Sequence, residues 1–419
     1  MLLSHKMTIK LSENYSNILG HMCYAAYKLW NVCNYERLNY KELNLPVEYP
    51  DWYYQKKVHK NNLWYKQLPS QTAQEVCKLL DKGWKSFYAL QKSHGVENPH
   101  PPHYKHDRIP VTYMQNGIKH MNNKEIVRLS ISGELKEYMA VTYDIHDKFL
   151  YLKNKIFKNM DNIKQIKVYP PENGSCNIIV IYKVQDVQML PDNGRYLSID
   201  LGVHNLMTCY NSTTGESFIA GRKYLSFCEY YNKEIARVQL QWSSLQKRKG
   251  IKYPKSSKHI CRLYKSKSDV IYDYLHKVTR YVVDYCIRED IHTVVIGDIT
   301  NIRKGKNFGS VTNQKIHALP YKKIYNLLKY KCAMVGIHFI RQKEFYSSQT
   351  SPLADRVDRR HADKKNRVKR GLYQDGEYIW NADCVGAFNI LRLYFQKQKI
   401  DIHLDPISIG VPYIAKVAV

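Results

Sequence analysis

The order of hydrophobic periods after residue 194 limits the fold more than any other feature of this chain. Residues 195–201, 206–210 and 217–220 are three short apolar runs of strand length, joined by turns that carry Gly202, Asn205, Asn211 and Gly215. Two long stretches of helical spacing follow, at about 225–246 and 257–289. A buried strand at 293–297, a helix near 321–334, a strand at 336–344 and a terminal helix from about Asn381 complete the series. A tight strand meander followed by alternating helix and strand needs a mixed sheet with helices against its faces.

That order is the order of an RNase H-like α/β domain. Upstream the pattern differs. Residues 7–11 alternate like a strand, and from Asn14 to Tyr40 the residues Ile18, Met22, Tyr24, Ala25, Leu29 and Val32 recur at helical spacing. Pro69-Ser70 starts a second helix over 70–93, and the proline- and histidine-rich stretch 98–110 reads as a loop. Alternation returns at 126–131, 138–143, 163–169 and 176–184, all read as strands. A strand, then helices, then strands predicts a β-barrel interrupted by a helical insertion. Pro191-Asp192-Asn193-Gly194 marks its end. The expected division is therefore 1–12, 13–116, 117–190 and 191–419, the last with a helical insertion at 225–289 and a basic loop at 347–380.

Charge narrows the function. A formal net charge of +28 makes a compact chain repel itself unless a polyanion neutralises it, and nucleic acid fits that need. The 36 tyrosines are expected mostly in packing, with some free to stack on bases. No apolar run approaches the roughly 20 residues that cross a bilayer, and the start lacks an apolar signal region. A cytoplasmic, nucleoid-associated protein of a prokaryote is expected. The ten cysteines contain no C-x-x-C pair, so no structural zinc is expected and most should be small buried hydrophobes.

Two-metal phosphodiester hydrolysis needs carboxylates from separate elements converging on two ions about 4 Å apart. Asp200, in Ser198-Ile199-Asp200-Leu201-Gly202-Val203, is an acid in an apolar strand, where an unpaired charge costs several kcal/mol and implies a partner. Asp383 opens the terminal helix in Asn381-Ala382-Asp383, followed by Ala387-Phe388-Asn389-Ile390. Between them lies Ile296-Gly297-Asp298-Ile299-Thr300-Asn301-Ile302-Arg303. These three strings resemble the RuvC motifs of the TnpB family of transposon-encoded RNA-guided nucleases and of the compact type V CRISPR effectors. Leu68-Pro69-Ser70-Gln71, Pro101-Pro102-His103-Tyr104-Lys105 and His276-Lys277 extend the resemblance along the chain. It implies a wedge barrel (1–12 and 117–190), a helical recognition insertion and a RuvC domain. It also implies guide RNA and target double-stranded DNA as partners, with cleavage beside a short flanking motif in a transposon or CRISPR-like setting, and Mg2+ (two ions, or Mn2+) as cofactor.

The chain departs from that family twice. The usual second acid is a glutamate where Gly297 stands, next to Asp298. Asp298 would reach the metals only through a bulge or strand end, since neighbouring strand residues face opposite ways. Glu344, at the end of the adjacent fifth strand, is the other candidate, giving Asp200, Glu344 and Asp383 as catalytic and metal-binding residues. A nuclease-inactive, guided repressor is the third reading, and a guide-free resolvase a fourth. The second departure is the missing zinc-ribbon cysteines after Ser347-Ser348-Gln349-Thr350. In their place stands a basic run with Arg356, Arg359, Arg360, Lys364, Lys365, Arg367 and Arg370, expected to order on a nucleic-acid backbone or to stay solvated. Lys247, Arg248, Lys249, Lys252 and Arg262 form a second backbone-gripping cluster, with Arg303 beside the second motif. Tyr53, Gln55, Lys56, Gln71, Gln74 and Lys78 are the candidate readers of the flanking motif. Monomer and homodimer both remain open.

Overall fold

The computed structural model describes residues 1–121, 124–300, 307, 309–369 and 371–418 and divides into two compact units, Met1–Asp186 and Val187–Val419. In the first unit, β1 (Leu2–Lys10) leads into α1 (Glu13–Leu38), which starts where the Ser12 hydroxyl accepts the Tyr15 N–H. Its apolar face, including Ile18, Leu19, Met22, Leu29 and Cys33, is fully covered. Helices α2 (Trp52–Val58), α3 (Leu63–Lys66) and α4 (Ser70–Ser93) follow. The remaining strands are β2 (Val111–Met114), β3 (Ile118–His120), β4 (Ile126–Ser130), β5 (Phe149–Lys153), β6 (Ile163–Val168) and β7 (Ser175–Lys183). They form one sheet in the order β1-β7-β6-β2 and a second in the order β3-β4-β5, over a common core. The first strand pairs along its whole length with β7 and stands at the edge of its sheet, so a strand that precedes the helices joins strands that follow them.

One element differs from the sequence expectation. Residues 138–143 belong to a helix, α5 (Gly133–Tyr143), and not to a strand. The aromatic and β-branched residues there favour a strand locally. The Ser132 hydroxyl instead caps the Leu135 N–H, and Leu135 and Met139, one turn apart, are both buried.

The second unit holds β8 (Tyr196–Asp200), β9 (Met207–Asn211), β10 (Ser217–Ala220), the helices α6 (Tyr224–Arg248) and α7 (Lys258–Arg288), β11 (Thr293–Gly297), α8 (Ser310–Ala318), α9 (Tyr321–Ala333) and β12 (His338–Gln342). A hairpin of β13 (Leu372–Asp375) and β14 (Tyr378–Asn381), then α10 (Ala382–Gln398) and the short β15 (Tyr413–Ile414), complete it. The main sheet runs β12-β11-β8-β9-β10-β15, with β8 antiparallel to β9 and parallel to β11, which is parallel to β12. This is the RNase H-like arrangement.

Strand parity sorts side chains between two helical layers. Leu197, Ile199, Val294 and Ile296 pack with α7 and α9 residues such as Val282, Ile324 and Leu328. Tyr196 and Val295 pack on the other side with Phe388 and Leu391 of α10. Asp200 and residue 297 have the parity of the α10 side, whereas Asp298 has the parity of the α9 side.

The segment 347–380, expected to be a basic loop unable to pack by itself, is partly built into the fold. Thr350 bridges Ala362, the β13–β14 hairpin is paired, and Val357, Tyr373 and Trp380 are buried. A few large apolar side chains anchor it while its cations face solvent. Cys261 is exposed and the other nine cysteines are buried. Among the described residues, no helix is long and apolar enough to cross a membrane.

Candidate active site

Asp200 ends β8 and points at α10. A Cβ on Gly386 of that helix would lie 2.7 Å from Asp200 Oδ2, so only glycine lets the helix approach the carboxylate this closely. Asp383 sits one turn earlier, positioned by the Asn381 side chain, which accepts the Asp383 N–H at 3.0 Å and the Cys384 N–H at 3.3 Å.

Glu344 lies just past β12, two residues beyond Gln342, the strand partner of Gly297. A Cβ on Gly297 would meet Glu344 Oε2 at 2.3 Å. The glutamate carboxylate therefore occupies the space into which a side chain at 297 would project. Asp298 goes the other way. It accepts hydrogen bonds from Arg341 Nη2 at 2.7 Å and from the Thr300 N–H at 3.0 Å, and the Arg341 guanidinium stacks over Tyr325 of α9. Burial alone would raise its carboxyl, but those bonds prevail and hold it below the ordinary value. The structure therefore brings Asp200, Glu344 and Asp383 to one end of the sheet on the α10 side, and it leaves Asp298 neutralised on the opposite face.

Three polar residues, Arg367 among the basic-run candidates and Asn205 and Asn389 to which the sequence assigned no role, frame these acids. Asn205, in the β8–β9 turn, donates to Asp383 Oδ2 at 2.8 Å and accepts from Arg222 at 2.8 Å. Arg367, from the basic segment, lies 3.7 Å from Asp383 Oδ1. Asn389, fully buried on α10, donates to the Ser347 and Thr350 carbonyls at 2.8 and 2.7 Å and so fixes the turn that follows Glu344. In the sequence Asn389 stood in the motif string Ala387-Phe388-Asn389-Ile390, an amide inside an apolar helical stretch, without an assigned role.

The electrostatics are those of acids short of counter-charge. Burial, then the neighbouring Asp383, raise Asp200 to about 7 against the opposing Arg367. Burial, then Asp200 and Asp298, raise Glu344 to about 8. Among the described residues, no three His, Cys, Asp or Glu side chains already converge as a single-ion site. What exists is two acid neighbourhoods sharing Asp200, one with Asp383 and one with Glu344. Oxygen donors of this kind, buried and mutually repelling, fit hard divalent cations such as Mg2+.

The raised values carry a testable sign. Both carboxyls hold protons in the fold at pH values where the unfolded chain has released them, so the metal-free protein loses stability as pH rises from about 4 to about 8. Asp200→Asn removes Asp200's share of that penalty and relieves Glu344 of one like charge. In chelator, its advantage over wild type in urea denaturation should grow by about 4 kcal/mol between about pH 4 and about pH 7. A pH-independent difference would contradict the assignment.

Most of the remaining sequence candidates among the described residues lie on the surface of one unit or the other. Lys247, Arg248, Lys249, Lys252 and Arg262 are exposed at the α6–α7 tip, as are Arg356, Arg359, Arg360, Lys364, Lys365 and Arg367 in the later segment. Arg303 and Arg370 lie outside the described residues. In the first unit Tyr53 is exposed, and Gln71, Gln74 and Lys78 line one polar cleft with Gln115 and Lys164. Lys56 lies over the Trp52 ring. Gln55 is a correction. It is fully buried, donating to Glu36 and the Cys33 carbonyl and accepting from Arg37, so its amide has no free edge for a base.

Two family models match this chain. Residues 179–303 match the OrfB type of IS605, described as a probable transposase, and residues 321–390 match the Cas12f1-like TNB domain. No curated protein matches the sequence. Among solved structures, the Cas12f1 chain of a Cas12f1–sgRNA–target DNA complex is similar at TM-score 0.55 and 14% identity, over 90% of this chain and 81% of that one. The mini-RNA-guided endonuclease Cas-phi3 aligns at TM-score 0.48 and 10% identity, over 94% and 92% of the two chains. At 14% identity the likeness to the Cas12f1 chain speaks for the fold alone.

Proposed function

We propose, from the premise that this chain is a TnpB-family RuvC protein related to the compact type V effectors, that it is an RNA-guided DNA endonuclease with Asp200, Glu344 and Asp383 as its catalytic acids. The observation that carries this reading is the Glu344 carboxylate seated where a side chain at 297 would project, beside Asp200. A glutamate missing from one strand is thereby supplied from the next.

Two divalent cations, when bound, would stabilise the attacking and leaving oxygens of an in-line displacement. The protein's own contribution is positional. Asp200 is shared between both acid neighbourhoods, Asn205 orients the Asp383 carboxylate, and Asn389 holds the turn that presents Glu344. Arg367 stands where it can meet a phosphate's non-bridging oxygens once Asp383 is otherwise engaged. The cations of the α6–α7 tip hold backbone without reading sequence. The polar cleft with Gln71, Gln74 and Lys78, together with Tyr53 and Lys56, reads the flanking motif, while base pairing to guide RNA supplies target choice.

The test is to co-express the chain with the transcript that flanks its gene, identify RNA that co-purifies, and incubate the complex with matched plasmid. Cleavage in Mg2+ that stops in chelator is expected. If about 10 phosphates are neutralised, log affinity for duplex should fall with log salt at a slope near −9. Guided binding by the wild type without cleavage would favour the nuclease-inactive repressor, and absence of bound RNA would exclude a guided mechanism.

A further inference from the structure

The first unit contains an aromatic recess apart from the acids and from the polar cleft. It is lined by His21 and Tyr24 of α1, Leu63 and Trp64 of α3, Gln67 at the end of α3, and Tyr138 of α5, with a volume near 400 Å³, within the range of small-ligand pockets. Its walls are rings. His21 stacks on Tyr138 at 4.6 Å between centroids, and Tyr24 meets Trp64 edge-on at 5.5 Å.

Two polar side chains, His21 and Gln67, the latter 5% exposed, face each other in it. Among the described residues, no third group bonds to Gln67 Oε1 or His21 Nε2. Burial lowers the His21 proton affinity against the opposing Gln67 amide. A base edge can therefore exchange for their mutual contact without leaving any other buried group unpaired. At the rim, Lys28 lies 5.3 Å from the Tyr24 ring centroid, and Lys66, two residues after Trp64, is ion-paired with Glu134 at 3.5 Å, both ends of that pair being exposed.

We propose that this recess takes one unpaired nucleobase of the RNA that the protein binds, an inference that rests on the nucleic-acid function above. Flat aromatic walls supply stacking, Gln67 Oε1 and His21 Nε2 supply an acceptor and a ring nitrogen for the base edge, and the rim lysines meet the flanking phosphates. Splayed, unstacked bases in single-stranded RNA are bound with this combination.

The test uses the full-length protein with a 4-thiouridine-containing single-stranded RNA 12-mer and the DNA 12-mer of equivalent sequence. Photo-cross-links are expected on the peptides carrying Tyr24, Trp64 or Tyr138. Tyr138→Leu and Trp64→Leu should each weaken RNA binding about tenfold with the salt slope unchanged, because stacking and not phosphate contact is lost. Tyr138→Phe should bind like wild type, and unchanged circular-dichroism melting of the leucine variants keeps the comparison valid. If Trp64→Leu fails to fold, Tyr138→Leu on the exposed wall and the cross-link map decide the matter. Wild-type affinity in the leucine variants without cross-links here would overturn the recess. An equal loss for DNA would overturn its assignment to RNA. A wild type that binds neither strand would instead overturn the functional reading itself.

Discussion

Glu344→Ala should lower the rate of Mg2+-dependent cleavage by about a thousandfold or more while leaving guided binding intact, and Asp298→Ala should leave the rate within a few-fold of wild type. Losing one ligand of a metal-assisted displacement removes several kcal/mol of transition-state stabilisation, which is a factor of this size. The contrast between the two acids is what the geometry demands. Glu344 faces Asp200 and is pushed up to about 8 by burial and its acidic neighbours, so it has every reason to take a cation. Asp298 is already ion-paired to Arg341 and hydrogen-bonded by Thr300 on the other face. Plasmid cleavage with single-turnover kinetics measures both variants, and a defect in Asp298→Ala equal to that in Glu344→Ala would sink the ligand set. Asp200→Ala and Asp383→Ala should match Glu344→Ala.

Moving the carboxylate back to the fourth strand should rescue what its removal costs. Gly297→Glu alone is expected to be inactive and less stable, because its Cβ would fall 2.3 Å from Glu344 Oε2 and 3.0 Å from Ile390 Cδ1, and it would add a further acid where acids already repel. The double variant Gly297→Glu/Glu344→Gly vacates the space and supplies the charge from the neighbouring strand. Its cleavage rate should exceed that of either single variant by about a hundredfold, measured in the same assay. Strict additivity of the two defects would mean that positions 297 and 344 do not serve one site.

Why the acids were legible while other features were not comes down to parity and partners. An acid closing an apolar strand draws notice because it has nothing local to pair with, so Asp200 stands out in the sequence. The alternation of β11 placed Asp298 on the face opposite Asp200, and the adjacency of the fourth and fifth strands made Glu344 an alternative. Which one is free could not be read, because it depends on Arg341, a cation 43 positions away that engages Asp298. Gln55 shows the same gap. Among lysines and aromatics it reads as a surface amide, and only the folded core reveals that Arg37, Glu36 and Cys33 consume it. In α5 a strand-like composition lost to a serine cap and to two apolar side chains a turn apart. In the segment 347–380 the charge run concealed Val357, Tyr373 and Trp380, the few residues that hold it down.

The first strand of the chain has a partner made much later. Met1 meets the Val184 carbonyl, 183 positions downstream, and every residue of β1 pairs within β7. At a synthesis rate of about 5–20 residues per second, β1 leaves the ribosome roughly 10–40 s before the strand that will flank it exists. Helices α1 to α4 are complete within that interval, so the nascent chain must carry an exposed edge alongside an already helical body. Completion of this sheet is therefore timed by β7, and anything that slows translation between the two strands lengthens the life of the unpaired edge.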